Sequence, residues 1–196
     1  AAQRGDVATV ERLLDGGCDP DKRNWRNSRP LLAASSSGHL DVVKLLVERG
    51  ADVDRTGDTF QTPLHHAVQI GHMEMVKYLL AHGASTKWGL NEAVRSEQVE
   101  VARVLLAQKV DIEQEGYGGG TPLQWAVVHG NAELVELLLA HGANANSQGD
   151  GDRTPLHMAA SKGDLAIGRL LLRHGAKPVL TANGEPAYPC SKEFRA

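Results

Sequence analysis

Apolar positions recur along this chain at helical spacing, in blocks of about two turns rather than in long runs. Val7, Val10, Leu13 and Leu14 fall at i, i+3, i+6 and i+7, one face of a helix. Leu45, Leu46 and Val47 supply a second stripe. Leu90, Ala93 and Val94, followed by Val99, Val101, Ala102, Val104, Leu105 and Leu106, supply a pair of them. Glycines close the blocks, as at Gly16-Gly17, where the left-handed conformation that ends a helix costs least. The pattern predicts an all-α chain of short paired helices.

The blocks are copies of one unit. Thr62-Pro63-Leu64-His65-His66-Ala67 returns as Thr121-Pro122-Leu123-Gln124-Trp125-Ala126 and as Thr154-Pro155-Leu156-His157-Met158-Ala159. A glycine after the first helix falls at Gly5, Gly38, Gly71, Gly130 and Gly163, and a closing glycine at Gly17, Gly50, Gly83, Gly142 and Gly175. Both series advance by 33 residues except for one step of 59, in which Glu97 and Lys109 stand where glycines are expected. One unit has therefore lost about seven residues relative to that period.

A period of 33 with Thr-Pro-Leu-His-x-Ala resembles the ankyrin repeat, and the resemblance covers essentially the whole chain. It implies an all-α solenoid of about six helix-turn-helix units joined by short hairpin turns, one unit lacking its hairpin. The expected organisation is a single domain over 1–196. Its units are 1–23 (partial), 24–56, 57–89, 90–113 (shortened), 114–146 and 147–180, with 181–196 a degenerate C-terminal cap. Ala1–Gly5 aligns with the middle of a unit, and Asn183–Pro189 resembles the opening of another, so a fragment of a longer protein is expected.

Three local departures carry structural expectations. Arg29 stands where threonine caps the first helix of other units, so that helix should fray at its start. Phe60 occupies a turn-glycine slot, and a bulky residue at positive φ is costly, so this turn is expected to be built differently. Leu137 and Leu138 are expected to pack between units.

Composition narrows the function classes. With 21 basic and 24 acidic residues the formal charge is -3, which offers no broad attraction to nucleic acid or an anionic membrane. No apolar run approaches about 18 residues. The two cysteines, Cys18 and Cys190, lie near opposite ends and make no Cys-x-x-Cys pair, which points to reduced thiols in a cytoplasmic or nuclear protein. Nine histidines raise a metal reading, but His39, His65, His72, His82, His141, His157 and His174 sit at repeat positions, leaving His66 and His129 off pattern. Equivalent positions in neighbouring repeats are about 10 Å apart, too far to share a metal at about 2 Å. The glycine run Gly116–Gly120 lacks the Gly-Lys-Ser/Thr of a phosphate loop and precedes Thr121-Pro122, so it is read as a turn. No catalytic residues, cofactor or metal are assigned, and the chain is not read as an enzyme.

The resemblance implies a protein-binding scaffold that uses the hairpin tips and the concave groove of inner helices. Trp25, Phe60, Trp88 and Tyr117 fall in four consecutive turns of a chain that is only 4% aromatic, and exposed aromatics anchor interfaces. Arg26 marks a basic turn; Asp58 lies in an acidic one, and Asp111, Glu113 and Glu115 in another. Groove slots add Ile70, Arg95 and His129, and Arg153 precedes the last Thr-Pro. The expected partner is an extended protein segment of mixed charge, bound by a monomeric domain, with neither nucleic acid nor membrane as partner. Trp125 is read as a core residue. Two alternatives remain: a small-molecule or nucleic-acid sensor stacking on Trp88, and a spacer between flanking domains. The resemblance also implies a possible hydroxylation site at Asn146.

Overall fold

Thr-Pro fixes where the first helix begins in three of the units. A proline at the first helical position gives up an N–H that the helix does not use. The preceding threonine caps one of the N–H groups left over, and the residue at the third position reaches back. Thr62, Thr121 and Thr154 each do this: their side-chain oxygens accept from the N–H of His65, Gln124 and His157, whose side chains accept from the threonine N–H. The computed structural model describes residues 1–24, 28–57, 60–116, 119–148 and 153–178. Among these, secondary structure is entirely helical.

After a short 3₁₀ turn at Ala2–Arg4, the helices are α1 (Val7–Asp15), α2 (Pro30–Ser36), α3 (Leu40–Glu48), α4 (Pro63–Gln69), α5 (Met73–Ala81), α6 (Gly89–Arg95), α7 (Val99–Leu106), α8 (Pro122–His129), α9 (Ala132–Ala140), α10 (Pro155–Lys162) and α11 (Leu165–Arg173). Even-numbered helices are the first of each repeat and odd-numbered ones the second. The chain divides into two compact units, one from Ala1 to Gly89 and one beginning at Leu90.

In the first unit α2 packs on α4, and α3 packs on both α1 and α5. Leu31, Leu46, Leu64, Met75 and Leu79 fill the seams. The helix α1 packs on α3, and here the apolar stripe is not fully covered: Val10 is buried but Leu13 is 47% exposed. In the second unit α8 packs on α10, and α9 on α7 and α11, around Leu105, Leu123, Leu134, Leu138, Ile167 and Leu171.

Backbone ties between turns repeat with the chain. Asp21, Asp54, Glu113 and Asn146 each accept, through a side-chain oxygen, the backbone N–H of the residue 31 further on: Asp52 (3.2 Å), Ser85 (2.9 Å), Asn144 (2.7 Å) and Lys177 (2.7 Å). Asn146 also donates Nδ2–H to Gly175 O at 3.0 Å, so both ends of its amide are engaged. The carboxylates of Asp54 and Glu113 therefore also serve within the chain.

The departures noted in sequence resolve in different ways. Arg29 gives α2 no side-chain cap. It instead spans two turns, donating Nε–H to Thr56 O at 3.1 Å and Nη1–H to Asp21 O at 2.5 Å. Phe60 adopts the left-handed conformation of the glycine slot, although Gly120 (φ 85) is also left-handed in the later turn and its counterpart Gln61 is not. Phe60 takes φ 57, matching Gly119 at φ 71, two residues before the capping threonine in each case. The shortened unit has a turn at 87–88 in place of a projecting hairpin, with α6 starting directly at Gly89. There Glu97 accepts the glycine conformation at φ 54, but Lys109 does not. After α5, the Ala84 N–H reaches back to Leu79 O; after α7, the equivalent Val110 N–H bonds Gln108 O. The second helix of this unit thus ends without the six-to-one bond that a closing glycine allows.

Candidate functional site

Four of the expected site residues, Trp25, Arg26, Asp58 and Tyr117, lie outside the described residues. The other six fall on turn tips and first-helix ends, in two groups.

In the first unit, Phe60 is 68% exposed at its turn tip. Ile70 follows the end of α4 and is 45% exposed. Trp88 is half-buried and also takes a left-handed conformation, at φ 60. The Lys87 ammonium sits 4.4 Å from its ring centroid, and the His65 ring lies 6.3 Å away at 54°. Trp88 thus packs against Lys87 beside it and against His65 on α4, the first helix of the repeat preceding α6. Lys87 occupies ring surface that a stacking ligand would need.

In the second unit, Arg95, Trp125 and His129 come together. The Arg95 guanidinium lies 5.3 Å from the centre of the Trp125 ring. His129, four residues and one turn beyond Trp125, stacks on it with centroids 6.0 Å apart and planes inclined by 26°. The indole is fixed from behind by its Nε1–H, which donates to Gly119 O at 2.9 Å. Trp125 is half-buried rather than a core residue. Sequence reasoning assigned it to the core because its helix otherwise buries that region; only the Arg95 side chain arriving from the preceding repeat reveals the stack.

Arg153 is exposed immediately before Thr154, and its carbonyl accepts from Gln124 Nε2 at 3.2 Å. It bears on His157, whose pKa is lowered from 6.5 first by burial and second by the Arg153 charge. The histidine geometry is that of a structural group. His157 Nδ1 accepts the Thr154 N–H at 3.0 Å, so that nitrogen must be unprotonated. His82 and His141 sit 2.8 Å through Nδ1 from the carbonyls of Tyr78 and Leu137, four residues back. Among the described residues no three metal-ligating side chains cluster. Cys18 is an exposed free thiol.

Comparison with known proteins decides the family. The profile described as ankyrin repeats (3 copies) matches residues 1–88, 57–116 and 90–182. The chain belongs to the ankyrin-repeat family. Its fold is similar to the human ASB11 ankyrin repeat domain, with 28% identity over 99% of this chain and 94% of that one and a TM-score of 0.82. It is also similar to the ankyrin repeat domain of Bcl-3, a member of the IkappaB protein family (29% identity, 95% and 89% covered, TM-score 0.83). An ankyrin repeat domain from Acinetobacter baumannii AYE is similar too, at 30% identity, 90% and 96% covered, and a TM-score of 0.84. No curated protein matches the chain. Ankyrin-repeat domains generally mediate protein–protein interaction and are generally non-enzymatic. Among the described residues, no helix of this ankyrin-repeat chain is long and apolar enough to cross a membrane.

Proposed function

We propose that this ankyrin-repeat chain is a non-catalytic scaffold that binds an extended protein segment along its turn tips and first-helix ends. Phe60 carries the reading. A left-handed conformation costs a residue with a Cβ about 1–2 kcal/mol, and glycine occupies the equivalent slot at Gly119 without that strain. The phenyl ring recovers little of this inside the chain, since it is 68% exposed. A residue that is both strained and exposed is best accounted for by an external contact. Trp25, Arg26, Asp58 and Tyr117 belong to the same set of turns and are proposed as further contacts. Ile70, Arg95, His129 and Arg153 supply the helix-end surface.

Phe60→Gly tests this because its two expected effects are opposed. Relief of strain, less the chain entropy glycine adds to the unfolded state, should raise stability by roughly 0.5–1 kcal/mol. Affinity for the partner, captured from cell lysate by the unaltered chain and identified by mass spectrometry, should fall. A partner held equally well by the more stable variant would remove Phe60 from the interface and leave the scaffold reading without its main support.

A further inference from the structure

The last residue of each first helix in the second unit is basic: Arg95 on α6, His129 on α8 and Lys162 on α10. In the first unit α2 and α4 end on the neutral residues Ser36 and Gln69, and the opening 3₁₀ turn ends on Arg4. Cations at helix C-termini are favoured by the helix dipole, and that alone would account for a basic residue at each end. It does not account for what Arg95 does. Its guanidinium lies 5.3 Å from the centre of the Trp125 ring of the next repeat, and the His129 ring stacks on the same indole at 6.0 Å. Lys162 joins the row by donating from Nζ to Val128 O, the carbonyl beside His129.

Stacking uses the face of a guanidinium and leaves its edge. The N–H donors lie in the plane of the group, so an arginine set over an indole can still present a fork to a carboxylate. Arg95 is exposed, and its pairing with Glu92 is loose at 3.8 Å. The Glu92 Oε1 atom is taken by the Ser96 hydroxyl at 3.2 Å. Other nearby carboxylates are also engaged: Glu97 by Asn131 Nδ2 at 3.5 Å, and Asp164 by the Ile167 N–H at 3.0 Å. The row carries the charges of Arg95 and Lys162, and the carboxylates of Glu92, Glu97 and Asp164 beside it are hydrogen-bonded within the chain. Exposed Val128 offers apolar surface next to His129.

We infer that the Arg95–Trp125–His129–Lys162 row binds an acidic, extended peptide segment, with one carboxylate seated in the fork of Arg95. Packed helices are about 10 Å apart, and three residues of extended chain span about the same distance. Carboxylates at every third residue therefore match the spacing of the row. The inference rests on the scaffold reading above and names the chemistry of the partner at this face.

The test uses a synthetic peptide of repeating Glu-Ser-Val and a control with Gln in place of each Glu. Both are titrated into the whole chain while the Trp125 indole N–H resonance is followed by NMR. The acidic peptide should shift that resonance and bind about fivefold more tightly than the Gln control, since an exposed ion pair is worth up to about 1 kcal/mol. Arg95→Gln should remove the preference. Arg95→Lys, which keeps the charge without the planar fork, should restore little of it.

Equal binding of the two peptides, no Trp125 shift, or full activity of Arg95→Gln would each overturn the inference. Competition by inorganic phosphate as effective as the peptide would make Arg95 a general anion contact and overturn it as well. Preference for a single-stranded oligonucleotide would do the same. If these fail while Phe60→Gly still weakens partner capture, the scaffold stands and only the acidic peptide is lost. If Phe60 proves irrelevant while Arg95 binds acidic peptide, the turn tips are lost instead.

Discussion

His157 shows how much a single repeat histidine is asked to do. Its Nδ1 closes the capping box with Thr154, and burial followed by the Arg153 charge pushes its pKa below 6.5. The sign of the linkage follows. Unfolded, the side chain takes up a proton near 6.5; folded, it resists until the pH is lower, so the unfolded state binds more protons in between. The contribution is fully present above 6.5 and is lost as the pH falls toward and through the lowered folded-state value. Urea midpoints measured between about pH 7.5 and about pH 5 should fall. His157→Gln, which copies Gln124 at the matching slot, should make that fall shallower. Identical slopes in the two proteins would show that His157 does not titrate with folding. At the same scale, Phe60 illustrates a reversal. Its cost at positive φ was legible from its slot, but the chain bears the cost rather than avoiding it.

At the scale of the element, α2 shows that a missing cap is not a missing anchor. Arg29 cannot accept the N–H that a threonine would, which the sequence states plainly. Its guanidinium instead donates to two backbone carbonyls, Asp21 O in the preceding turn and Thr56 O in the following one. Charged donors to partly buried carbonyls are worth more than a neutral bond. Arg29→Ala should therefore cost about 1–3 kcal/mol by chemical denaturation, more than a cap deletion of about 1 kcal/mol. Arg29→Thr discriminates the two roles, because it restores the capping residue found before α4, α8 and α10. It should still be less stable than the parent; a gain in stability would mean that the cap, not the two ties, is what this position lacks. The shortened repeat makes a related point. Glu97 tolerates the left-handed turn and Lys109 does not, so one helix end keeps the repeat's geometry and the other abandons it.

At the scale of the molecule, each repeat covers its neighbours, so stability is spread over interfaces rather than gathered in one core. Leu138 is completely buried between second helices of its unit, with Leu134 and Val135 equally enclosed and Leu137 nearly so. Leu138→Ala should cost about 2–5 kcal/mol, the usual range for a leucine whose site cannot collapse. A loss below roughly 1 kcal/mol would mean that the neighbouring repeats relax into the space. The exposed flank of α1 is the counterpart: Leu13 lies on the same helical stripe but is only partly covered where α1 packs on α3.

The helices, their pairing, the repeat and its shortened member were legible in the order of residues, because capping, glycine turns and apolar periodicity are local and act over a few positions. The family followed from the same text. Part of the turn ladder was also in plain view, as Asp19-Pro20-Asp21, Asp52-Val53-Asp54, Asp111-Ile112-Glu113 and Asn144-Ala145-Asn146. In each, the first residue accepts from the N–H of the third, and the third reaches the turn of the next repeat. What sequence could not decide is which side chains meet across repeats. Arg95 and Trp125 are 30 residues apart, and nothing local to either says that one will lie on the other. That contact depends on how a repeat is laid against the next. The sequence marked Arg95 as a groove residue and Trp125 as a core one; only the tertiary structure brings the two together.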